Sequence, residues 1–145
     1  MVTTGKACDH YRLYRGDVDL LAELGHQAYR MLIEWIRIEL VEGQWDVTAV
    51  NHYVDLLDRL NQRGTQAFVT LHHFIQSQWF EQCGGFRERE NLRFVERYLE
   101  YLLPKISEYV SGWNVKMNSI YGGSMNSFRE GYLRRQRSGN TSSIC

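Results

Sequence analysis

Two adjacent histidines close an apolar run. Ala67-Phe-Val-Thr-Leu71 leads into His72, His73 and Phe74. The run is β-branched, aromatic or small, and reads as a buried strand. Polar rings at the C-terminal end of such a strand stand where α/β folds place their ligand sites. Period-2 geometry is expected to send His72 and His73 to opposite faces. Satisfied strand-end histidines are the simpler account of this spacing alone. Arg30 and Glu34 lie on one parity of a second apolar run, Ala28-Tyr-Arg-Met-Leu-Ile-Glu-Trp35. A salt bridge between them on that strand face is the simpler account. Metal chemistry finds little support: the two strand-end rings diverge, and no HExxH or comparable spacing occurs. His10, His26 and His52 fall on helix or loop positions and are expected to be solvated.

Helices and strands alternate around these residues. Asp9 is expected to cap a helix running to about Leu24, with Tyr11, Tyr14, Val18, Leu21 and Leu24 as its apolar face. Gly25 stands at its C′ position, and Gly16 weakens it slightly. A strand is expected over 28–35, then a loop over 42–47, with Asp46 or Thr48 capping a helix over 49–62. That helix buries Val50, Tyr53, Val54, Leu57 and Leu60, and Gly64 closes it. The central strand follows, over 66–73. Cys83-Gly-Gly-Phe86 is a turn. Asn91 begins a helix burying Leu92, Phe94, Val95, Tyr98, Leu99 and Leu102. Pro104 marks a break, or the first turn of a short helix to Val110. A third strand is expected over 112–117. The order predicts an α/β fold with parallel strands and right-handed crossovers. A closed (β/α)8 barrel needs about 250 residues, so three strands make only part of one.

Composition narrows the partners. The 145 residues include 17 Lys and Arg against 17 Asp and Glu, so nothing favours nucleic acid or an anionic membrane. No apolar run reaches the roughly 18 residues of a bilayer span. Residues 1–6 are polar, are expected to fray, and show no secretory signal. Cys8, Cys83 and Cys145 form no CxxC, which suggests reduced thiols and a cytoplasmic location. The tail, 122–145, is rich in Gly, Ser, Asn and Arg and reads as mostly disordered or a stray helix.

Several segments, in order, resemble glycoside hydrolase family 1, the β-glucosidase and 6-phospho-β-glucosidase family. They are Ala7-Cys-Asp-His-Tyr11, Ala28-Tyr-Arg-Met-Leu-Ile-Glu-Trp-Ile-Arg-Ile-Glu39, Val69-Thr-Leu-His-His-Phe74, Trp79-Phe80, Gly84-Gly85 and Gly112-Trp113. The match covers about residues 7–121, the second to fourth βα units of the family's TIM barrel. The resemblance implies retaining β-glycosidase chemistry on β-linked glucosides or related sugars, with no cofactor and no metal. Arg30 matches an arginine beside the nucleophile. His73 matches a histidine that hydrogen-bonds the non-reducing sugar, and Phe74 an aromatic flanking it. Such a set suits a sugar, which needs mixed donors and acceptors beside a flat apolar face.

The departures bear on catalysis. Retaining hydrolysis needs two carboxylates about 5–5.5 Å apart. The family's acid/base follows the third of these strands in a Trp-x-Thr-x-Asn-Glu-Pro motif. Here the chain reads Trp113-Asn-Val-Lys-Met-Asn-Ser-Ile120. If Lys116 is an insertion, Asn118 keeps the motif's asparagine and Ser119 replaces the glutamate; otherwise Met117 and Asn118 fall there. Neither alignment provides a carboxylic acid. The family's nucleophile belongs to a later strand, and its first strand bears a sugar-binding glutamine; neither strand is in this chain. Leu32 and Ile36 stand where the family usually has serines, Leu40 and Ser77 where it has prolines. Leu32 shares parity with Arg30, so it would point where a pocket should be.

The expected protein is therefore a partial family 1 barrel, inactive alone, with Arg30, His73, Phe74 and Asn118 as a sugar-binding remnant. The alternative is a non-catalytic sugar-binding or interaction module on the same fold. Three open strands leave bare edges, through which self-association is expected.

Overall fold

A computed structural model describes residues 7–73 and 75–114. Residues 1–6, Phe74 and the stretch from Val115 onward, with Asn118, Ser119 and the tail, lie outside the described residues. The chain folds as α1 (His10–Glu23), β1 (Ala28–Leu32), α2 (Trp35–Ile38), α3 (Val47–Gln62), β2 (Gln66–Thr70), α4 (Gln78–Gln82), α5 (Leu92–Ile106) and β3 (Gly112–Asn114). The sheet order is β1-β2-β3, and both pairings are parallel. This is the α/β arrangement expected from the alternating pattern.

Two strands are preceded by the same kind of helix stop. Gly25 takes φ +76°, its N–H bonding Ala22 O at 3.0 Å while His26 N bonds Leu21 O at 3.0 Å. Gly64 takes φ +73°, its N–H bonding Asn61 O at 2.9 Å while Thr65 N bonds Leu60 O at 2.9 Å. Both are Schellman closures, which need a left-handed residue that glycine supplies without a Cβ penalty. Asp46 caps α3 by accepting from Ala49 N at 3.0 Å, and the helix starts two residues earlier than expected. Asp9 does not act as expected. It adopts φ +48° and its side chain caps nothing; its carbonyl accepts from Arg12 N and Leu13 N instead.

The core lies on one side of the sheet. Met31, Ala67 and Val69 are buried against the helices, with Val50, Leu57 and Leu60 of α3 and Tyr98, Leu102 and Ile106 of α5. On the other side Ala28, Arg30, Gln66 and Phe68 are exposed, so this face carries no second layer among the described residues. The alternation of one covered and one bare face is the sheet's period of two.

Several boundaries differ from expectation. β1 stops at Leu32, because Trp35 opens α2 and buries its indole rather than continuing the strand. β2 stops at Thr70, so His72 and His73 follow the strand rather than end it. The period-2 argument for opposite faces therefore does not reach them. Pro104 does not break α5, which runs on to Ile106 before a 3-10 turn over Ser107–Tyr109. Pro104, two residues before the last helical residue, has no N–H to offer the Glu100 carbonyl, and the helix continues past it with that one bond missing. β3 is described only through Asn114; the expected continuation to Met117 lies outside the described residues. Leu24, placed on the inner face of α1, is 65% exposed.

Candidate functional site

The parallel register aligns the bare face into rows. Arg30 pairs with Phe68, which pairs with Gly112; Leu32 pairs with Thr70, which pairs with Asn114. Register partners in a parallel sheet share a face, so Arg30, Phe68 and Gly112 form one row across three strands. Gly112 is needed there. A Cβ built on it would stand 2.8 Å from the Phe68 ring. Leu32 occupies the next row toward the C-terminal edge, on the parity of Arg30 as expected. Arg30 does not pair with Glu34. That carboxylate bonds the Nε–H of Arg37, one turn along, in a very short contact. Among the described residues Arg30 has no ion pair.

The segment after β2 carries both strand-end histidines. His72 is half-buried, with its ring 5.0 Å from Phe86 and edge-on to Trp35 at 6.4 Å. Burial in this aromatic setting, with His73 beside it, lowers its pKa to about 4, so the ring is neutral at pH 7. His73 is also half-buried, and its carbonyl accepts from Ile75 N at 2.7 Å. Phe74 and Asn118, the other expected sugar contacts, lie outside the described residues.

The acids beside this end of the sheet are already engaged. Glu39 is fully buried. Its Oε2 accepts from Trp35 Nε1 at 2.8 Å and its Oε1 from Gly43 N at 2.7 Å. Arg97, from α5, forms a very short ion pair with Oε1, and Trp79 Nε1 donates to the Glu39 carbonyl at 3.2 Å. One carboxylate thus fastens α2, the following loop and α5 together, while its backbone holds α4. Sequence reasoning missed this knot. Its visible signal was an acid four residues after a tryptophan in an apolar stretch. Asn91 was also missed as a brace: its amide donates to Cys83 O at 2.8 Å and Gly85 O at 2.9 Å, pinning the glycine turn.

Two helix histidines are not simply solvated, contrary to expectation. His10 bonds Asp17 Oδ2 at 2.5 Å and Tyr29 OH at 3.3 Å. His52 stacks on Tyr11 at 3.8 Å between centroids, with Tyr14 and Tyr53 against its edges, and its Nε2 is buried without a hydrogen bond among the described residues. Burial, followed by the Arg37 charge, lowers its pKa. Among the described residues, no three His, Cys, Asp or Glu converge on a point that could hold a metal ion. None of the described helices is long and apolar enough to cross a membrane. Cys8 and Cys83 are exposed free thiols.

The profile of "Glycosyl hydrolase family 1" matches residues 2–134. "Beta-glucosidase 11" of Arabidopsis thaliana is 36% identical over 110 residues, covering 74% of this chain and 21% of that protein. The structure of a beta-glycosidase from Pyrococcus horikoshii superimposes with a TM-score of 0.69 at 38% identity, over 74% of this chain and 26% of its own. Virulence factor SghA, from Agrobacterium tumefaciens and solved with its substrate analog salicin, superimposes with a TM-score of 0.69 at 28% identity, over 73% of this chain and 24% of its own. The chain thus spans about a quarter of the proteins it matches.

Proposed function

The chain belongs to glycosyl hydrolase family 1, and on that premise we propose that it is a sugar-facing part of a retaining β-glycosidase that does not cleave glycosides by itself. The observation that carries this is the engagement of its acids. Glu34 is held by Arg37, Glu39 is buried among Trp35, Gly43 and Arg97, and Asp46 caps α3. A general acid must reach the leaving oxygen and give up a proton there. None of these groups is free to do so, and Ser119 or Asn118 at the family's acid/base position brings no carboxyl.

What remains is recognition. Arg30 stands on the bare face beside Phe68, offering a fixed fork of donors next to an exposed aromatic ring. His73, Phe74 and Asn118 join it as the sugar-binding set, toward a β-linked glucoside or related sugar. The bare strand edges fit self-association, and the free thiols fit a cytoplasmic setting.

The test is a chromogenic β-glucoside assay beside a calorimetric titration with glucose and salicin. The expected result is no turnover by the purified chain or by Ser119→Glu, because the nucleophile is also missing. Weak binding lost in Arg30→Ala supports the recognition role. Turnover that disappears in His73→Ala overturns the reading.

A further inference from the structure

α1 buries Tyr14 and Val18 and turns another apolar stripe outward. At 100° per residue, Leu13, Leu20 and Leu24 fall within about 40° of arc on the side opposite Val18. They are 58%, 53% and 65% exposed. Gly16 borders the stripe, and nothing lies within 4 Å of where its Cβ would be. Arg12 and Glu23 share one flank of the stripe, near opposite ends of the helix. Arg12 approaches Asp9 only at 3.9 Å, and Glu23 has no ion pair among the described residues. Arg15, on the far side, is committed to Asp55 at 3.2 Å.

We propose that this stripe seats a second copy of the chain, with the two α1 helices antiparallel about a two-fold axis. The proposal gives a specific surface to the self-association read above. A two-fold axis normal to the helix pair keeps each flank on its own side while reversing direction. Arg12 of one copy then lies level with Glu23 of the other, and the symmetric pair repeats at the opposite end. At the centre Leu20 of each copy lies over Gly16 of the other, where the missing side chain leaves room. Leu13 and Leu24 close the seam. Apolar burial supplies the attraction, and the paired charges fix direction and register. A parallel pair, with its axis along the helices, would send Arg12 and Glu23 of the two copies to opposite flanks and form neither ion pair, which disfavours it.

The experiment is sedimentation equilibrium of the whole chain from low to high micromolar concentration. The expected result is a concentration-dependent dimer. Leu20→Glu should abolish it, with circular dichroism showing a retained fold, since the site is on the surface. Arg12→Glu alone should raise the dimer Kd by about tenfold, and Arg12→Glu with Glu23→Arg should restore it. A wild-type chain that stays monomeric throughout overturns the proposal, including one that binds only a polypeptide bearing further βα units. A dimer indifferent to Leu20→Glu, as association through strand edges would give, overturns it too. So does a double charge swap no better than the single. Sugar binding at Arg30 is read separately by titration, so either proposal can fail alone.

Discussion

Trp35 and Glu39 form a hydrogen bond of 2.8 Å across one helical turn, with the indole 3% exposed and the carboxylate fully buried. The acid is tolerated because Gly43 N and Arg97 supply its other contacts. Breaking a buried charged pair leaves the partner uncompensated. Glu39→Ala should destabilise the chain by about 3 kcal/mol or more. Glu39→Gln, which keeps the shape but not the charge, should cost less. Urea denaturation of the two variants checks the order; equal losses would mean that charge alone, not shape, holds the knot.

Ser77 occupies a position that suits proline. Its φ is −68°, it precedes α4, and its hydroxyl is buried without a hydrogen bond among the described residues. Proline fixes φ near this value and carries no hydroxyl to orphan. Ser77→Pro should stabilise the chain by about 1 kcal/mol, part of it from restricting the unfolded chain. Thermal denaturation should show a raised Tm.

Gly112 and Phe68 should be energetically coupled. A methyl on Gly112 meets the ring at 2.8 Å, so Gly112→Ala should cost about 1–3 kcal/mol. Phe68→Leu should relieve much of that, giving a favourable interaction energy in a double-mutant cycle. Additive losses would show that the ring simply swings aside.

Stability should fall with acidity through His72. Its folded pKa is about 4 against an ordinary 6.5, because the buried ring resists charging. Below pH 6.5 the unfolded chain therefore binds a proton that the folded chain refuses. The contribution of the neutral ring is complete above pH 6.5, declines as pH drops toward 4, and is flat below that. The span amounts to about 3 kcal/mol. His52, also lowered by burial, acts in the same direction. His72→Phe should flatten most of the slope in urea titrations between pH 4 and 7.

The parallel order of three strands was legible because the stops before β1 and β2 are local. Gly25 and Gly64 mark their helix ends whatever surrounds them. The apolar stripes of α3 and α5 were legible for the same reason, since period and burial coincide along one helix. The end of β1 was not. Nothing in Met31-Leu-Ile-Glu-Trp35 punctuates the strand, and α2 is too short to form without the partners that Glu39 and Trp79 provide. That Leu32 shares a face with Arg30 followed from parity alone; the row Arg30, Phe68 and Gly112 needed the register. The engagement of Glu39 did not, because its ion-pair partner Arg97 lies 58 residues away and only the folded core brings the two together.

The two Schellman stops also bear on how the chain acquires its shape. In each, the N–H groups of the glycine and of the residue after it are satisfied by carbonyls of the helix they terminate. The strand then begins within three residues of the glycine, at Ala28 and at Gln66. Each strand is thus aimed by a turn that needs no neighbour to exist. A chain emerging from synthesis can set the heading of β1 before β2 has been made, and that of β2 before β3. The step expected to be slow is then the sideways pairing of the strands, which closes the longest loops.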